Sequence, residues 1–257
     1  MTVAIVLPVA GPAARDRLIA RWSRRLLGIL RIELHAPGSP APGEWAGSMI
    51  AANHVSWLDV VVINAVCPAR FVAKAEVRDW PLIGWMTQKT GNLFIARRER
   101  GASFLAVSVL KLFLRQGYRV AFFPEATTTD GTRLKPFHPE LFEAACQTRA
   151  LVRPAAIRYA DADGLRCAAA AFVDDMALVD SLDALFRMPE LHAHLAWAPP
   201  ISTAGKTRRE IGEAAQEAVA ALLKLPHARK SERAHARARQ FALPDDVSFD
   251  STVSSTI

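Results

Sequence analysis

The order of apolar and polar positions along the chain predicts an alternation of short strands and helices. Seven short apolar runs have the length and the bounding residues of buried strands. These runs are residues 48–52, 71–73, 93–95, 118–123, 151–157, 166–173 and 191–198. Helical spacing of apolar residues predicts helices at 56–65, 81–88, 102–116, 141–148 and 207–225. The alternation indicates a single α/β domain with a central mixed sheet flanked by helices.

A further helix, with a strongly basic face, is predicted at residues 15–31, ahead of the first strand. Its apolar positions are Leu18, Ile19, Trp22, Leu26, Ile29 and Leu30, and its arginines are Arg17, Arg21, Arg24, Arg25 and Arg31. Such an amphipathic helix can lie in the headgroup region of a membrane, where arginines meet acidic lipids. It can equally pack its apolar side on its own domain and expose the basic side to water. The segment alone favours neither interpretation.

Three regions of the chain differ in character. No run reaches the roughly 20 apolar residues of a membrane-spanning helix, since Val3–Ala14 is short and interrupted by prolines. After Pro226 the chain becomes basic and then polar, with little to bury. We therefore expect a membrane-associating segment at 1–44, a folded domain at 45–225 and a disordered tail at 226–257.

Composition narrows the class of partner. The chain of 257 residues has 32 basic and 25 acidic side chains, and this net charge of +7 favours nucleic acid, acidic headgroups or phosphorylated substrates. The sequence contains neither a glycine-rich phosphate-binding motif nor a nucleic-acid-binding motif. The hypothesis of a nucleic-acid partner would therefore rest on the net charge alone, and we do not expect such a partner.

Patterns that would indicate a metal site are weak. Cys67, Cys146 and Cys167 are scattered without metal-site spacing and are expected to be reduced core thiols. His192 and His194 alternate in a predicted strand and so share one face, but the sequence shows no third ligand. We expect neither a metal ion nor a cofactor.

The sharpest pattern is Asn53–Asp59 (NHVSWLD), between a predicted strand and a predicted helix. A His at this junction lies at a sheet edge, where pockets form in α/β folds. From the first turns of the helix, Asp59 could hold one imidazole nitrogen and support the imidazolium that forms when His54 takes a proton. The pair suits acyl transfer to an alcohol, whose hydroxyl needs a base. A helix cap formed by Asn53 or Ser56 beside an incidental His is the alternative.

Three further blocks follow this one in a recognisable order. The four blocks are Asn53-His54-x4-Asp59, Gly91–Arg97 (GNLFIAR), Phe123–Thr127 (FPEAT) and Leu151–Ile157 (LVRPAAI). Their order and spacing resemble those of the four motifs of the glycerolipid acyltransferases, the family of 1-acyl-glycerol-3-phosphate acyltransferases. The resemblance covers roughly residues 20–225, and it implies that residues 45–225 form an acyltransferase domain.

The resemblance implies roles for the matching residues. His54 would deprotonate the hydroxyl of a lysolipid, which would attack the thioester of acyl-CoA or acyl carrier protein directly, and Asp59 would orient His54. Arg97 would bind an anionic group of the acceptor. The other implied substrate-binding residues are Glu125, Ala126, Thr127, Thr128 and Pro154. The implied location is the cytoplasmic face of the cell membrane, on which the protein would be peripheral or monotopic.

The family pattern of the third block extends over seven residues, Phe-Pro-Glu-Gly-Thr-Arg-Ser, and residues 126 and 128 depart from it in ways that bear on function. Ala126 replaces a Gly that allows a tight turn, and Thr128 replaces an Arg expected to contact phosphate. The run 127–131 instead resembles the lyso-ornithine lipid O-acyltransferase branch, whose acceptor carries no phosphate. We therefore favour lyso-ornithine lipid over 1-acyl-glycerol 3-phosphate as the acceptor. A non-catalytic membrane-binding protein of the same fold is the alternative of another class.

Overall fold

A computed structural model of the protein describes residues 11–41, 43–74, 92–95, 101–173 and 176–225. The chain divides into two units between Leu225 and Pro226, and the second unit lies wholly outside the described residues. The predicted helix at 81–88, the predicted tail and Arg97 also lie outside them. Every strand and helix that the structure describes belongs to the first unit.

The described chain alternates strands and helices as the hydrophobic pattern predicts. The helices are α1 (Pro12–Ile29), α2 (Leu58–Val66), α3 (Ala102–Arg115), α4 (Phe142–Thr148), α5 (Leu178–Arg187) and α6 (Arg208–Leu223). The strands are β1 (Ile32–His35), β2 (Met49–Ala52), β3 (Arg70–Lys74), β4 (Leu93–Ile95), β5 (Val120–Phe122), β6 (Val152–Ala160) and β7 (Leu191–Trp197).

The seven described strands form one sheet in the order β1-β7-β6-β2-β5-β3-β4. Strands β4, β3, β5, β2 and β6 run parallel, whereas β7 is antiparallel to β6 and β1 is parallel to β7. The prediction of a central mixed sheet is therefore confirmed. Because the carboxyl ends of parallel strands meet at one edge, the loops after β2 and β5 lie side by side there.

Helices cover both faces of the sheet, which explains why β2 and β5 are continuously apolar. Along β2, Ile50 and Ala52 pack on the face that carries α1, α2 and α5. Met49 and Ala51 alternate to the opposite face and pack against α3, α4 and α6. All four side chains are completely buried, so β2 holds the loop that follows it on a rigid support.

Helix α1 packs its apolar side on its own domain, the second of the two interpretations left open by its sequence. Ile19, Ala20 and Leu27 are buried, and the Arg24 Nε–H donates to the carbonyl of Ala65 at the end of α2, at 2.8 Å. The basic side of the helix faces water. None of the helices among the described residues is long and apolar enough to cross a bilayer.

Three elements differ from the predictions. Strand β1 was not predicted; it pairs with β7, so the sheet begins before the expected boundary at residue 44. The predicted strand at 166–173 is wrong, because after one bridge from Arg166 to Ala160 the chain forms a short 3-10 helix at Ala168–Ala170. The four consecutive alanines at 168–171 lack the branched side chains that favour strands. Helix α5 was also missed.

Candidate active site

Asn53 fixes the direction in which the chain leaves β2. Its side-chain Nδ2 donates to the carbonyl of Ile157 at 2.9 Å, and its Oδ1 accepts from the Ile157 N–H at 2.7 Å. The side chain thereby continues the ladder between β2 and β6 after the backbone pairing has ended. Asn53 does not cap α2 in this structure, and it delivers His54 to the carboxyl edge of the sheet.

His54 and Asp59 form a hydrogen-bonded dyad. The distance from His54 Nδ1 to Asp59 Oδ2 is 2.7 Å. The same carboxylate oxygen accepts the backbone N–H groups of Val55 at 2.8 Å and Ser56 at 3.0 Å. Asp59 lies in the first turn of α2 and is completely buried. The loop therefore wraps around the carboxylate. The Asp59 carboxylate in turn holds both the loop and the imidazole in place.

Tyr159 completes the surroundings of Asp59. Its hydroxyl donates to Asp59 Oδ1 at 2.7 Å from β6, a strand that lies 100 residues away in the chain. Burial and the neighbouring Asp59 carboxylate raise the pKa of Tyr159 well above its ordinary value, so the phenol keeps its proton and remains a donor. Reasoning from the sequence misses this residue, because no local pattern connects it to Asp59.

The other imidazole nitrogen of His54, Nε2, is not engaged by any residue that the structure describes. The ring stacks on Phe123, with centroids 3.9 Å apart and planes nearly parallel, and 20% of its side chain is accessible. Since Nδ1 faces the Asp59 carboxylate, Nδ1 carries the proton and Nε2 carries the lone pair. Within the described part of the chain, Nε2 makes no hydrogen bond. This is the arrangement of a general base.

Glu125 joins the loop after β5 to the dyad. Its Oε1 accepts the His54 backbone N–H at 2.7 Å, and its Oε2 accepts the Lys135 backbone N–H at 2.7 Å. Burial, with a smaller contribution from the charge of Asp59, raises the pKa of Glu125 to about 7. Because both oxygens are engaged by main-chain amides, Glu125 shapes the site by holding its two loops together.

Ala126 occupies a left-handed backbone conformation, which Gly adopts without steric cost. Its φ is 64°, in the left-handed region, and its N–H closes a turn onto the carbonyl of Phe123 at 3.0 Å. The loop then returns to the dyad, where the Thr129 N–H donates to the His54 carbonyl at 2.8 Å. The turn therefore forms with Ala at this position, at the cost of a strained backbone conformation.

The remaining predicted site residues differ in their exposure and in their position relative to the loop that carries His54. Thr127 is exposed and Thr128 is half-buried, both on the loop that carries Glu125. Pro154 is buried within β6 opposite Ala51, before the level at which β2 ends. The fourth motif thus reaches the dyad's loop through Ile157. Arg97 lies outside the described residues.

Comparison with known proteins identifies the family. A family model described as acyltransferase matches residues 44–158. The lyso-ornithine lipid O-acyltransferase of Pseudomonas aeruginosa is 40% identical over 205 residues, which is 80% of this chain and 78% of that protein. The chain belongs to the acyltransferase family. The resemblance seen in the four motifs is thereby confirmed.

This acyltransferase also resembles a second relative in sequence and a solved structure in fold. The 1-acyl-sn-glycerol-3-phosphate acyltransferase of Neisseria meningitidis is 40% identical over 163 residues, 63% of this chain and 64% of that protein. The crystal structure of a 1-acyl-sn-glycerophosphate acyltransferase from Thermotoga maritima superposes with a TM-score of 0.62 at 20% identity, covering 84% of this chain and 82% of that one. The second similarity supports the fold.

Replacing Ala126 by Gly is expected to stabilise the acyltransferase by about 0.5–1 kcal/mol, because Gly adopts the left-handed conformation without steric strain. Urea unfolding followed by tryptophan fluorescence measures the difference. Ala204→Gly is the control, since Ala204 is exposed and outside the left-handed region; there Gly should be neutral or slightly destabilising. Equal effects at both positions would mean that Ala126 is not strained.

Replacing Tyr159 by Phe is expected to destabilise the protein by about 1.5–3 kcal/mol, because a buried carboxylate loses a hydrogen bond. Tyr118→Phe is a matched control: the Tyr118 ring lies under the Arg70 guanidinium, 3.7 Å from its centroid, and a Phe ring retains that contact. We expect the control to lose less than half as much in urea unfolding. A similar loss in both variants would contradict a special role for the Tyr159 hydroxyl.

Proposed function

We propose that this acyltransferase transfers a fatty acyl group from a thioester to the free hydroxyl of a lysolipid, with His54 as general base. The observation that carries the proposal is the dyad: Asp59 holds Nδ1 at 2.7 Å, and no described residue hydrogen-bonds Nε2 on the partly accessible ring. A positioned base of this kind contributes about 10²–10⁴-fold to the rate of a reaction limited by proton transfer.

The proposed reaction proceeds in one displacement at the thioester carbonyl. His54 Nε2 takes the proton of the acceptor hydroxyl as the oxygen attacks the carbonyl carbon. The C–S bond then breaks, the ester forms, and the imidazolium returns its proton to the departing thiolate. Asp59 stabilises the imidazolium, and its hydrogen bonds from Tyr159 and the backbone keep it aligned. No acyl-enzyme and no cofactor are required.

The acyl donor that we propose is acyl-CoA or acyl carrier protein, and the preferred acceptor is lyso-ornithine lipid. The Pseudomonas aeruginosa relative, 40% identical over 80% of this chain, is named for that acceptor. The substitution at Thr128 supports this preference. A threonine hydroxyl offers no positive charge to a phosphate, whereas the family's arginine does. The runner-up acceptor is 1-acyl-glycerol 3-phosphate.

Side-by-side assays with a labelled acyl donor test both the reaction and the acceptor. We expect faster transfer to lyso-ornithine lipid than to 1-acyl-glycerol 3-phosphate. Thr128→Arg should raise activity toward the phosphate-bearing acceptor relative to the other, because it restores a cation beside the acceptor. Thr132→Arg, an equal added charge on a nearby exposed residue, is the control. A preference for the phosphate-bearing acceptor in the unmodified protein would refute the branch assignment.

The same assay tests the mechanism through His54→Ala. Turnover should fall at least 100-fold, since the hydroxyl loses its base, whereas His194→Ala on the far side of β6 should retain activity. Circular dichroism of both variants checks that they fold. Substantial turnover by a folded His54→Ala protein would overturn the proposed mechanism, whichever acceptor is used.

We also propose that the protein is peripheral on the cytoplasmic face of the cell membrane, held there by charge. Because Ile19, Ala20 and Leu27 pack inside the domain, we assign the contact with acidic headgroups to the exposed arginines of α1. Six arginines line a cavity of about 930 Å³ beside this helix: Arg15, Arg17, Arg21, Arg24, Arg70 and Arg119. Arg70 and Arg119 stand at the amino ends of β3 and β5, so this cavity lies at the opposite sheet edge from His54, and the proposed acyl transfer does not use it.

Vesicle sedimentation tests the role of this basic side. A triple variant with Gln at the exposed positions Arg17, Arg21 and Arg25 should bind phosphatidylglycerol vesicles about 100-fold more weakly, at about 1 kcal/mol per arginine. Arg24 is spared because it bonds the end of α2. The control is a second triple variant, Arg187→Gln, Arg208→Gln and Arg209→Gln. It removes the same number of positive charges, but from α5 and α6. An equal loss in the control would mean that net charge alone, and not α1, binds the membrane.

A further inference from the structure

Strands β1 and β7 place a second group of reactive side chains far from the dyad in the sheet order. Their parallel register sets Glu33 beside His192 and His35 beside His194. Because side chains alternate along a strand, all four lie on one face of the sheet. Ile32, Leu191 and Ala193 alternate to the other face and are buried in the core. The polar group is therefore an accessible patch on a firmly packed pair of strands.

Three members of this patch converge. His35 Nε2 lies 3.0 Å from His192 Nδ1. The Glu33 carboxylate spans the two rings, with Oε1 at 3.4 Å from His35 Nε2 and Oε2 at 3.6 Å from His192 Nδ1. These atoms lie within the separation at which they could share one metal ion.

The distances match the spacing of ligands around a tetrahedral ion. With metal–nitrogen and metal–oxygen bonds near 2.0–2.1 Å, two ligand atoms of a tetrahedral site are about 3.3 Å apart. The observed separations of 3.0, 3.4 and 3.6 Å bracket that value. Small side-chain rotations would admit an ion without moving either strand.

The surroundings of His192 strengthen the interpretation. Its other ring nitrogen, Nε2, lies 3.3 Å from Glu190 Oε1. A carboxylate on the far nitrogen of a ligating imidazole is the usual second partner in metal sites, because it fixes the tautomer and raises the basicity of the ligand. His194 stacks on His35 with centroids 4.9 Å apart, which restricts the rotation of that ring.

We propose that Glu33, His35 and His192 form a binding site for a borderline divalent transition-metal ion such as Zn²⁺, with water completing the coordination. Two imidazoles and one carboxylate suit Zn²⁺ and its neighbours in the first row, whereas Mg²⁺ and Ca²⁺ prefer oxygen ligands. The ion ties the edge strand β1 to β7. The site takes no part in the acyl transfer proposed above, because β6 separates β7 from the strand that carries the dyad.

Metal titration of the full chain after treatment with EDTA tests the proposal. Other histidines are present, including His54, His138, His227 and His235, so binding is counted by difference. Calorimetry with Zn²⁺ should lose one equivalent in His35→Ala and in His192→Ala, and retain it in His138→Ala. Glu33→Gln, a change on an exposed side chain that folding tolerates, should weaken that equivalent at least tenfold.

Two further measurements separate a metal site from a merely polar patch. Glu190→Gln should keep the stoichiometry but weaken binding about 10–100-fold, as expected for the partner of a ligating His. Saturating Zn²⁺ should raise the unfolding midpoint of the wild type by about 5 °C or more, and should not raise that of metal-free, folded His192→Ala. Equal stoichiometry in wild type and His192→Ala, or an unchanged affinity in Glu33→Gln, would overturn the proposal.

Discussion

The structure depends most on the buried carboxylate of Asp59. A charge taken out of water is costly unless hydrogen bonds replace its hydration. Asp59 receives hydrogen bonds from the His54 ring, from the backbone N–H groups of Val55 and Ser56, and from the Tyr159 hydroxyl. These donors come from the loop after β2 and from β6. The need to provide hydrogen bonds to one carboxylate therefore fixes the conformation of the loop, the start of α2 and the orientation of the imidazole.

The sheet provides the rigidity that this arrangement requires. Strand β2 is buried on both faces, and Asn53 extends its pairing with β6 through a side chain. Glu125 then clamps the loop after β5 to the backbone of His54. A base held in this way needs little reorganisation when it takes a proton, which is the general condition for efficient acid–base catalysis. Residues that never touch a substrate thus contribute to the site by holding those that do.

The same strand geometry produces two polar clusters with different surroundings. The dyad lies at the carboxyl edge of the parallel strands, where its carboxylate is sealed from water. Glu33, His35 and His192 lie on an accessible face at the other side of β6, where imidazoles and a carboxylate can exchange water for an ion. Alternation along β1 and β7 creates the second cluster as a consequence of burying Ile32 and Leu191 on the opposite face.

By itself, the sequence determined the α/β class, most helix and strand positions, and the pairing of His54 with Asp59. Those features depend on local periodicity and on residues a few positions apart, which a single segment records. Only the tertiary structure decided that the apolar side of α1 is buried in its own domain and that Glu125 bonds main-chain amides. It also brought Tyr159 to Asp59, and Glu33 and His35 to His192. These contacts join segments that are distant in the chain, and strand order and register, rather than any local pattern, bring them together.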